Sequence, residues 1–302
     1  SKAEDVVVAS TGVIGQKLSL EPIKIGIHEV CAGLTKDGDD YASEGIMTTD
    51  TVKKQVCVEF EIDGKTCTIG GIAKGSGMIH PNMATMLVFI TTDCAISPVM
   101  LDKALKSDIK NTFNMVSVDG DTSTNDMVTV LANGMAGNTE ITTEGENFDI
   151  FMKALNTCTI GLCRMIAGDG EGATKLLECV VDGAKTLETA KKGAKSVICS
   201  SLLKAAMFGE DANWGRVLCA IGYSGAEVDV TKIDVTFTSK AGSVAVCKNG
   251  YGIDFSEEVA STVLHEKEIN IMISLNDGSE TATAWGCDLT YDYVKINGDY
   301  RT

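Results

Sequence analysis

The stretch HPNMATMLVF, His80 to Phe89, decides how the rest of the chain is read. From Thr85 to Thr92 the residues are apolar and β-branched enough to make a strand. Such a strand needs nothing polar at its entrance, yet a threonine stands there behind a small alanine, with Pro81 and Asn82 just upstream. Before it, Gly70-Gly71-Ile72-Ala73-Lys74-Gly75-Ser76-Gly77-Met78 holds four glycines and a lysine. That composition reads as a loop whose backbone lets another group come close.

A threonine at this place has two readings. In one, Thr85 opens the strand because a β-branched side chain fits there. In the other it is a nucleophile. His80 sits on a turn with no fixed relation to Thr85, and His28 and His265 fall on helix faces, so a histidine-based triad is poorly served. Cutting the Ala84–Thr85 bond would supply the base differently. The freed α-amine has a reference pKa of about 7.7–8.0, so one residue would carry both nucleophile and general base.

Composition narrows the partners. The chain has 302 residues, 44% of them hydrophobic, and 31 glycines against three prolines, which suits a folded α/β or α+β protein with many tight turns. Lys and Arg number 26 against 42 Asp and Glu, a net charge of −16 with no basic run. Nucleic acid and anionic membrane surfaces would repel it, so a small-molecule substrate is expected. The eleven cysteines include no Cys-x-x-Cys, and only three histidines are present. They read as reduced structural thiols, with Cys57, Cys158, Cys199 and Cys247 inside apolar stretches, in a cytosol-like compartment and without a metal site. No signal peptide is evident, and no apolar span is expected to reach membrane length.

Periodicity alternates strand and helix. Strands are expected at Val6–Ala9, Gln55–Glu61, Thr66–Ile69, Thr85–Thr92, Met127–Leu131, Leu176–Val181 and Asp234–Phe237, with a hairpin turn at Asp63-Gly64. A further hairpin is expected from Ile269–Leu275 to Thr281–Trp285 across Asn276-Asp277-Gly278. Helices are expected after Pro22, after the Ser97-Pro98 start, at Phe148–Ile166, over a Lys-rich span from about Leu187 to Met207, and near Phe255–Leu264. Asp119, Asp121 and Ser123 mimic the start of a calcium loop, but Thr124 stands where glycine is needed and Val130 where the bidentate Glu should be. Gly168-x-Gly170-x-Gly172 lacks the spacing of a dinucleotide fingerprint.

The segment from Lys74 through Gly75-Ser76-Gly77-Met78-Ile79-His80-Pro81-Asn82-Met83-Ala84-Thr85 to Met86-Leu87 resembles the self-processing region of the glutamate N-acetyltransferase family, also called bifunctional ornithine acetyltransferase/N-acetylglutamate synthase. Further matches follow in family order. They are Ser10-Thr11-Gly12-Val13-Ile14-Gly15, Ile46-Met47-Thr48-Thr49-Asp50, the run Val118–Asp126, Gly168–Lys175, Asn213-Trp214-Gly215-Arg216 and the ending Ile296–Thr302. Two departures stand out. The family's α chain begins well upstream of the Ser10 loop, and Ala212 stands where the family often has proline.

The resemblance implies a layered αββα sandwich of the self-processing aminopeptidase/ornithine acetyltransferase type, with a smaller C-terminal α/β region from about residue 230. It implies cleavage between Ala84 and Thr85, giving residues 1–84 as part of an α chain and 85–302 as a β chain, paired as two α and two β. Thr85 would be the nucleophile and Thr11 and Gly12 the oxyanion donors, with Thr48, Lys74, Thr85, Glu171, Asn297 and Thr302 binding substrate. The implied reaction moves acetyl from N2-acetyl-L-ornithine to L-glutamate through acetyl-threonine, in arginine biosynthesis and in the cytoplasm. No cofactor is required; acetyl-CoA enters as a co-substrate in those members that also make N-acetylglutamate from it. An aminopeptidase or amidohydrolase on the same scaffold, or an inactive assembly partner, stands as the alternative.

Overall fold

The computed structural model describes residues 2–3, 6–80 and 86–299. Its first sheet grows from the Asp63-Gly64 turn, where both residues take positive φ (53° and 70°). That geometry suits a two-residue hairpin, because its twist matches that of the strands. The turn joins β1 (Lys54–Ile62) and β2 (Lys65–Lys74) in antiparallel register, Lys54 opposite Ala73 and Ile62 opposite Lys65. Next to β2 lies antiparallel β3 (Leu87–Thr92), and β5 (Met127–Ala132) pairs parallel on its far side.

Gly70–Lys74 is therefore strand, paired on both edges, and only Gly75-Ser76-Gly77 remains of the glycine loop expected from sequence. Packing is the reason. A Cβ on Gly71 would stand 2.9 Å from Leu162 and 3.1 Å from Cys158, both on α4 (Glu146–Gly168), so glycine lets that helix lie against the sheet. On the same helix Phe151 meets Phe60 of β1 edge to face, with ring centroids 6.2 Å apart.

The second sheet has the order β4 (Val116–Ser117), β11 (Glu280–Cys287), β6 (Leu176–Ala184), β10 (Glu268–Ser274), β7 (Asp234–Ser239), β8 (Gly242–Lys248), β9 (Tyr251–Gly252). The hairpin expected at Asn276-Asp277-Gly278 does not form. β6 lies between the two strands, parallel to β10 and antiparallel to β11. Leu275 and Asp277 donate their N–H groups to the carbonyls of Asp182 and Gly183, so the turn bridges the end of β6. Helix α4 touches β1 and β2 of the first sheet and β11 and β6 of the second, while α5 (Leu187–Cys199) lies against β6 and β11.

Local signals start the helices. Ser97 accepts from Met100 N–H ahead of Pro98 and begins α3 (Pro98–Asp108). The Lys-rich span expected as one helix divides at Ser200, which leaves helical geometry (ψ 104°), caps α6 (Ser201–Phe208) and ends α5. Asn213 caps α7 (Trp214–Gly222), and Ser256 caps α8 (Glu257–Leu264).

Other expectations need correcting. Val6–Ala9 forms no strand and Val6, Val7 and Val8 are exposed, since no neighbouring strand offers them hydrogen bonds. Helix α1 (Glu21–Ala32) forms as expected but buries none of its residues. Cys57 is exposed, on the outward face of β1, and all eleven cysteines are free. By length and composition α4 is apolar enough to cross a membrane, against the expectation that no span would be; half of that window is buried inside the protein. Helix α9 (Tyr291–Asp299) closes the described chain.

Candidate active site

The turn from Ile46 to Asp50, the start of β1, the Gly75-Ser76-Gly77 loop and the end of α4 are tied together by one buried cation. Lys54 has no exposed surface, and its Nζ lies 2.6 Å from both Asp50 Oδ1 and Asp169 Oδ2. Asp50 Oδ1 also accepts from Gly75 N–H at 2.7 Å, and its Oδ2 accepts from Thr48 N–H at 3.1 Å. Buried charges persist only where partners and hydrogen bonds meet them, and here every group is met. The N–H of Gly75, together with Lys54 and Thr48, holds the Asp50 carboxyl below its ordinary value against the opposing effect of burial, the largest single influence.

Lys74 is different. It is buried at the end of β2, and among the described residues no carboxylate comes within ion-pair distance of its Nζ. Burial depresses its pKa, while Asp50, Asp126 and Glu171 oppose that from further off. An ammonium placed so has spare capacity for an anion.

Glu171 follows the end of α4. Its N–H donates to the Ser76 carbonyl at 2.9 Å, and its carboxylate accepts from Asn297 Nδ2 of α9 at 2.9 Å. Glycine at 77 makes room for it, since a Cβ there would fall 2.3–2.5 Å from the Glu171 carboxyl atoms. Thr49 Oγ1 and Ser76 Oγ share a hydrogen bond at 2.6 Å. Thr48, Lys74, Glu171 and Asn297, expected from sequence to share a site, are thus linked through Asp50, the glycine loop and Ser76.

Upstream of Pro81 the backbone is held in an uncommon shape. Met78 takes φ 53°, which costs a non-glycine residue about 1–2 kcal/mol. Asp119 offsets this by accepting from Met78 N–H at 2.6 Å and Ile79 N–H at 3.1 Å. Burial, followed by the charges of Asp119, Asp121 and Glu171, raises the Tyr293 phenol above its ordinary pKa.

The ArgJ family profile matches residues 1–302.

The chain belongs to the ArgJ family.

It is 54% identical over 301 residues to the arginine biosynthesis bifunctional protein ArgJ 1 of Clostridium acetobutylicum, covering 100% of this chain and 74% of that protein. Identity to the ArgJ protein of Caldanaerobacter subterraneus subsp. tengcongensis is also 54%, over 99% of this chain and 74% of the relative. A solved structure of the Bacillus halodurans protein, arginine biosynthesis bifunctional protein argJ, is 46% identical with a TM-score of 0.67; the match covers 70% of this chain and 98% of that one. Mixed α/β architecture is therefore common to both.

On this ArgJ-family frame the remaining expected residues fall as follows. Thr11 is half-buried and Gly12 exposed, with no atom near its Cβ position. Ser10, just before them, is anchored where its carbonyl accepts from Asn125 Nδ2 at 2.7 Å. Ala84, Thr85 and Thr302 lie outside the described residues. His28 and His265 are exposed, and His265 pairs with Glu210 at 3.0 Å. His80 Nδ1 contacts Ser117 Oγ at 3.1 Å and Cys199 Sγ at 3.5 Å.

Sequence reading missed Lys54 and Asp169, and gave Asp50, Asp119 and Asp126 no separate parts. A signal existed for Lys54, a charge standing at the very start of an apolar strand. For Asp169 there was none, since its partner lies 115 residues away.

Proposed function

We propose that this ArgJ-family chain is a self-processing acetyltransferase that moves the acetyl group of N2-acetyl-L-ornithine to L-glutamate through an acetyl ester on Thr85, serving arginine biosynthesis. The observation that carries the reading is Lys74, buried and with no carboxylate at ion-pair distance among the described residues, on the same bonded frame as the Glu171–Asn297 pair. An amino-acid substrate offers a carboxylate to such an ammonium and an amine to such a carboxylate. The two groups have the signs an amino-acid donor and acceptor share.

Chain length is consistent with cleavage at Ala84–Thr85. The 218 residues from 85 to 302 are 72% of the chain, and the solved Bacillus halodurans chain, 98% covered, matches 70% of it. A chain beginning at the nucleophile would have that length.

Chemically, the freed Thr85 amine takes the proton of its own hydroxyl as Oγ attacks the acetyl carbonyl. Thr11 and Gly12 stabilise the oxyanion, a kind of contact whose loss typically costs about 10²–10³ in rate. Ornithine leaves, and the amine of glutamate collects the acetyl group. Lys74, whose partner across the β2–β3 ladder is Leu87, two residues after the nucleophile, would disfavour a second positive charge on the amine and so help keep it neutral. Acetyl-CoA serves as an additional donor in a synthase reaction at the same threonine, and no other cofactor is required. Two α and two β chains assemble, in the cytoplasm, where eleven free thiols are at home.

The test is product analysis with N-acetyl-ornithine, with and without glutamate, on wild type and Thr85→Ala. Glutamate-dependent release of ornithine and formation of N-acetylglutamate, both abolished in the variant, are expected. Equal ornithine release without glutamate would instead identify a hydrolase.

A further inference from the structure

The run Val118–Asp126 matches the family yet has no part in the chemistry above. Its side chains and backbone, with Met127 just after it, grip the chain on both sides of residues 81–85. Upstream, Asp119 accepts from Met78 and Ile79 N–H, Val118 N–H donates to the Ile79 carbonyl at 2.7 Å, and Thr122 Oγ1 donates to the His80 carbonyl at 2.9 Å. Downstream, Asp126 Oδ1 accepts from Met86 N–H, and Met127 N–H donates to the Met86 carbonyl at 2.8 Å. Between them, Asn125 holds Ser10, next to Thr11 and Gly12. One short segment thus fixes three places that the proposed reaction must bring together.

Asp126 stands apart from the other contacts. Its Oδ2 is sealed from solvent and has no hydrogen-bond partner among the described residues. Leaving such an oxygen unmet costs about 1–3 kcal/mol, so it calls for a reason. Burial pushes the carboxyl up to about 7, against the lowering effects of the Met86 N–H and of Lys74. Lys74, from β2, is the charged group that faces it; behind Lys74 stand Asp50, Lys54 and Glu171. The carboxyl is therefore poised to exchange a proton near neutral pH.

We propose that Asp126 is a positioning residue that relays the proton displaced from the Thr85 hydroxyl through the Thr85 amine. This rests on Thr85 being the processed nucleophile. Thr85 is bonded to Met86, so its Cα lies one peptide unit, about 3.8 Å, from that of the residue whose N–H Asp126 holds. As the Oγ–C bond forms, the hydroxyl proton passes to the amine, the amine passes one proton to Oδ2, and the acetyl carbonyl becomes an oxyanion. As the oxyanion collapses, the amide C–N bond breaks, and the ornithine nitrogen takes that proton back by the same route. Asp126 and the amine end as they began.

Asp126→Asn keeps an oxygen for Met86 N–H but cannot accept a proton, so it separates the two roles. The readout is the rate at which N-acetyl-ornithine, without glutamate, acetylates the Thr-led chain, followed by intact mass across about pH 5.5–9. Wild type needs both amine and carboxyl deprotonated, so its log rate should climb with slope near two on the acid side. In the cleaved Asn variant the slope should fall to one and the rate by about a hundredfold or more, the usual scale for acid–base assistance. A variant uncleaved as Asn but cleaved and active as Asp126→Glu also supports the proposal, because self-cleavage makes the same demand for a proton acceptor. An Asn variant with the wild-type slope and a rate within threefold would overturn it, as would Asn and Glu variants that both stay uncleaved. A wild type that cleaves but never takes up acetyl would sink the Thr85 acetylation reading instead.

Discussion

Replacing Lys54 with methionine removes one charge from the frame of the site and leaves two carboxylates facing each other. Lys54 is fully buried and 2.6 Å from an oxygen of each, so no water takes its place. Breaking a buried ion pair by deleting one partner costs about 3–5 kcal/mol, a large part of the roughly 5–15 kcal/mol that holds a domain folded. Urea unfolding followed by circular dichroism should show that loss, and its pH dependence should carry a distinctive sign. In the wild type Asp50 has a depressed folded pKa, so its contribution is complete above the ordinary value of 3.8 and is lost only as pH falls through the lower folded value. Between about pH 5 and pH 7.5 it contributes no slope. With Lys54 gone, both of its lowering effects vanish while burial and the now uncompensated Asp169 carboxylate push upward, so the folded pKa of Asp50 is expected to rise above 3.8. Stability then survives at low pH and is lost as pH climbs through the raised value, so Lys54→Met should be more stable at about pH 5 than at pH 7.5. Adding Asp50→Asn should recover part of the loss at pH 7.5. A loss under about 1 kcal/mol, or one equal at both pH values, would refute the reasoning.

Two smaller predictions concern glycines. Gly77→Ala puts a methyl against the flexible end of Glu171, so the carboxylate should swing away from Asn297: KM for N-acetyl-ornithine should rise about tenfold, near 1.4 kcal/mol, with a melting temperature close to that of wild type. Gly286→Ala sets its methyl 2.3 Å from Ile198 Cγ2 and 2.9 Å from the Ser117 carbonyl, and overpacking of this kind costs about 1–3 kcal/mol in urea unfolding, whereas Gly222→Ala on α7, with open space around it, should cost nothing.

What the sequence disclosed depended on how far apart the interacting residues lie. Asp63-Gly64 and Ser97-Pro98 decide their turn and cap with neighbours only, and both form as read. Ser200 shows the reverse case: it carries a capping signal, but inside a span with helical pattern the break was hidden until the chain had to turn. The placing of β6 between β10 and β11 depends on pairings across 92 residues or more, and the strong turn signal at Asn276-Asp277-Gly278 suggested the simpler hairpin. Gly71 read as loop because its reason, Leu162 and Cys158 on α4, lies far along the chain. Within the site, Lys74, Glu171 and Asn297 were reached through family resemblance, since nothing in their own neighbours distinguishes them from solvated side chains. Asp119 and Asp126 were visible as a polar run, but their task is defined by Met78, Ile79 and Met86, about 40 residues earlier.

The central claim is that one peptide bond is broken to make a nucleophile that then carries the acetyl group. Intact-mass measurement of the purified full-length protein, before and after incubation with N-acetyl-ornithine, tests it most directly. The account predicts two chains divided between Ala84 and Thr85, and one acetyl group gained by the chain that begins with Thr85. A single uncleaved chain that still transfers acetyl to glutamate, or an acetyl group found anywhere but on that threonine, would contradict it.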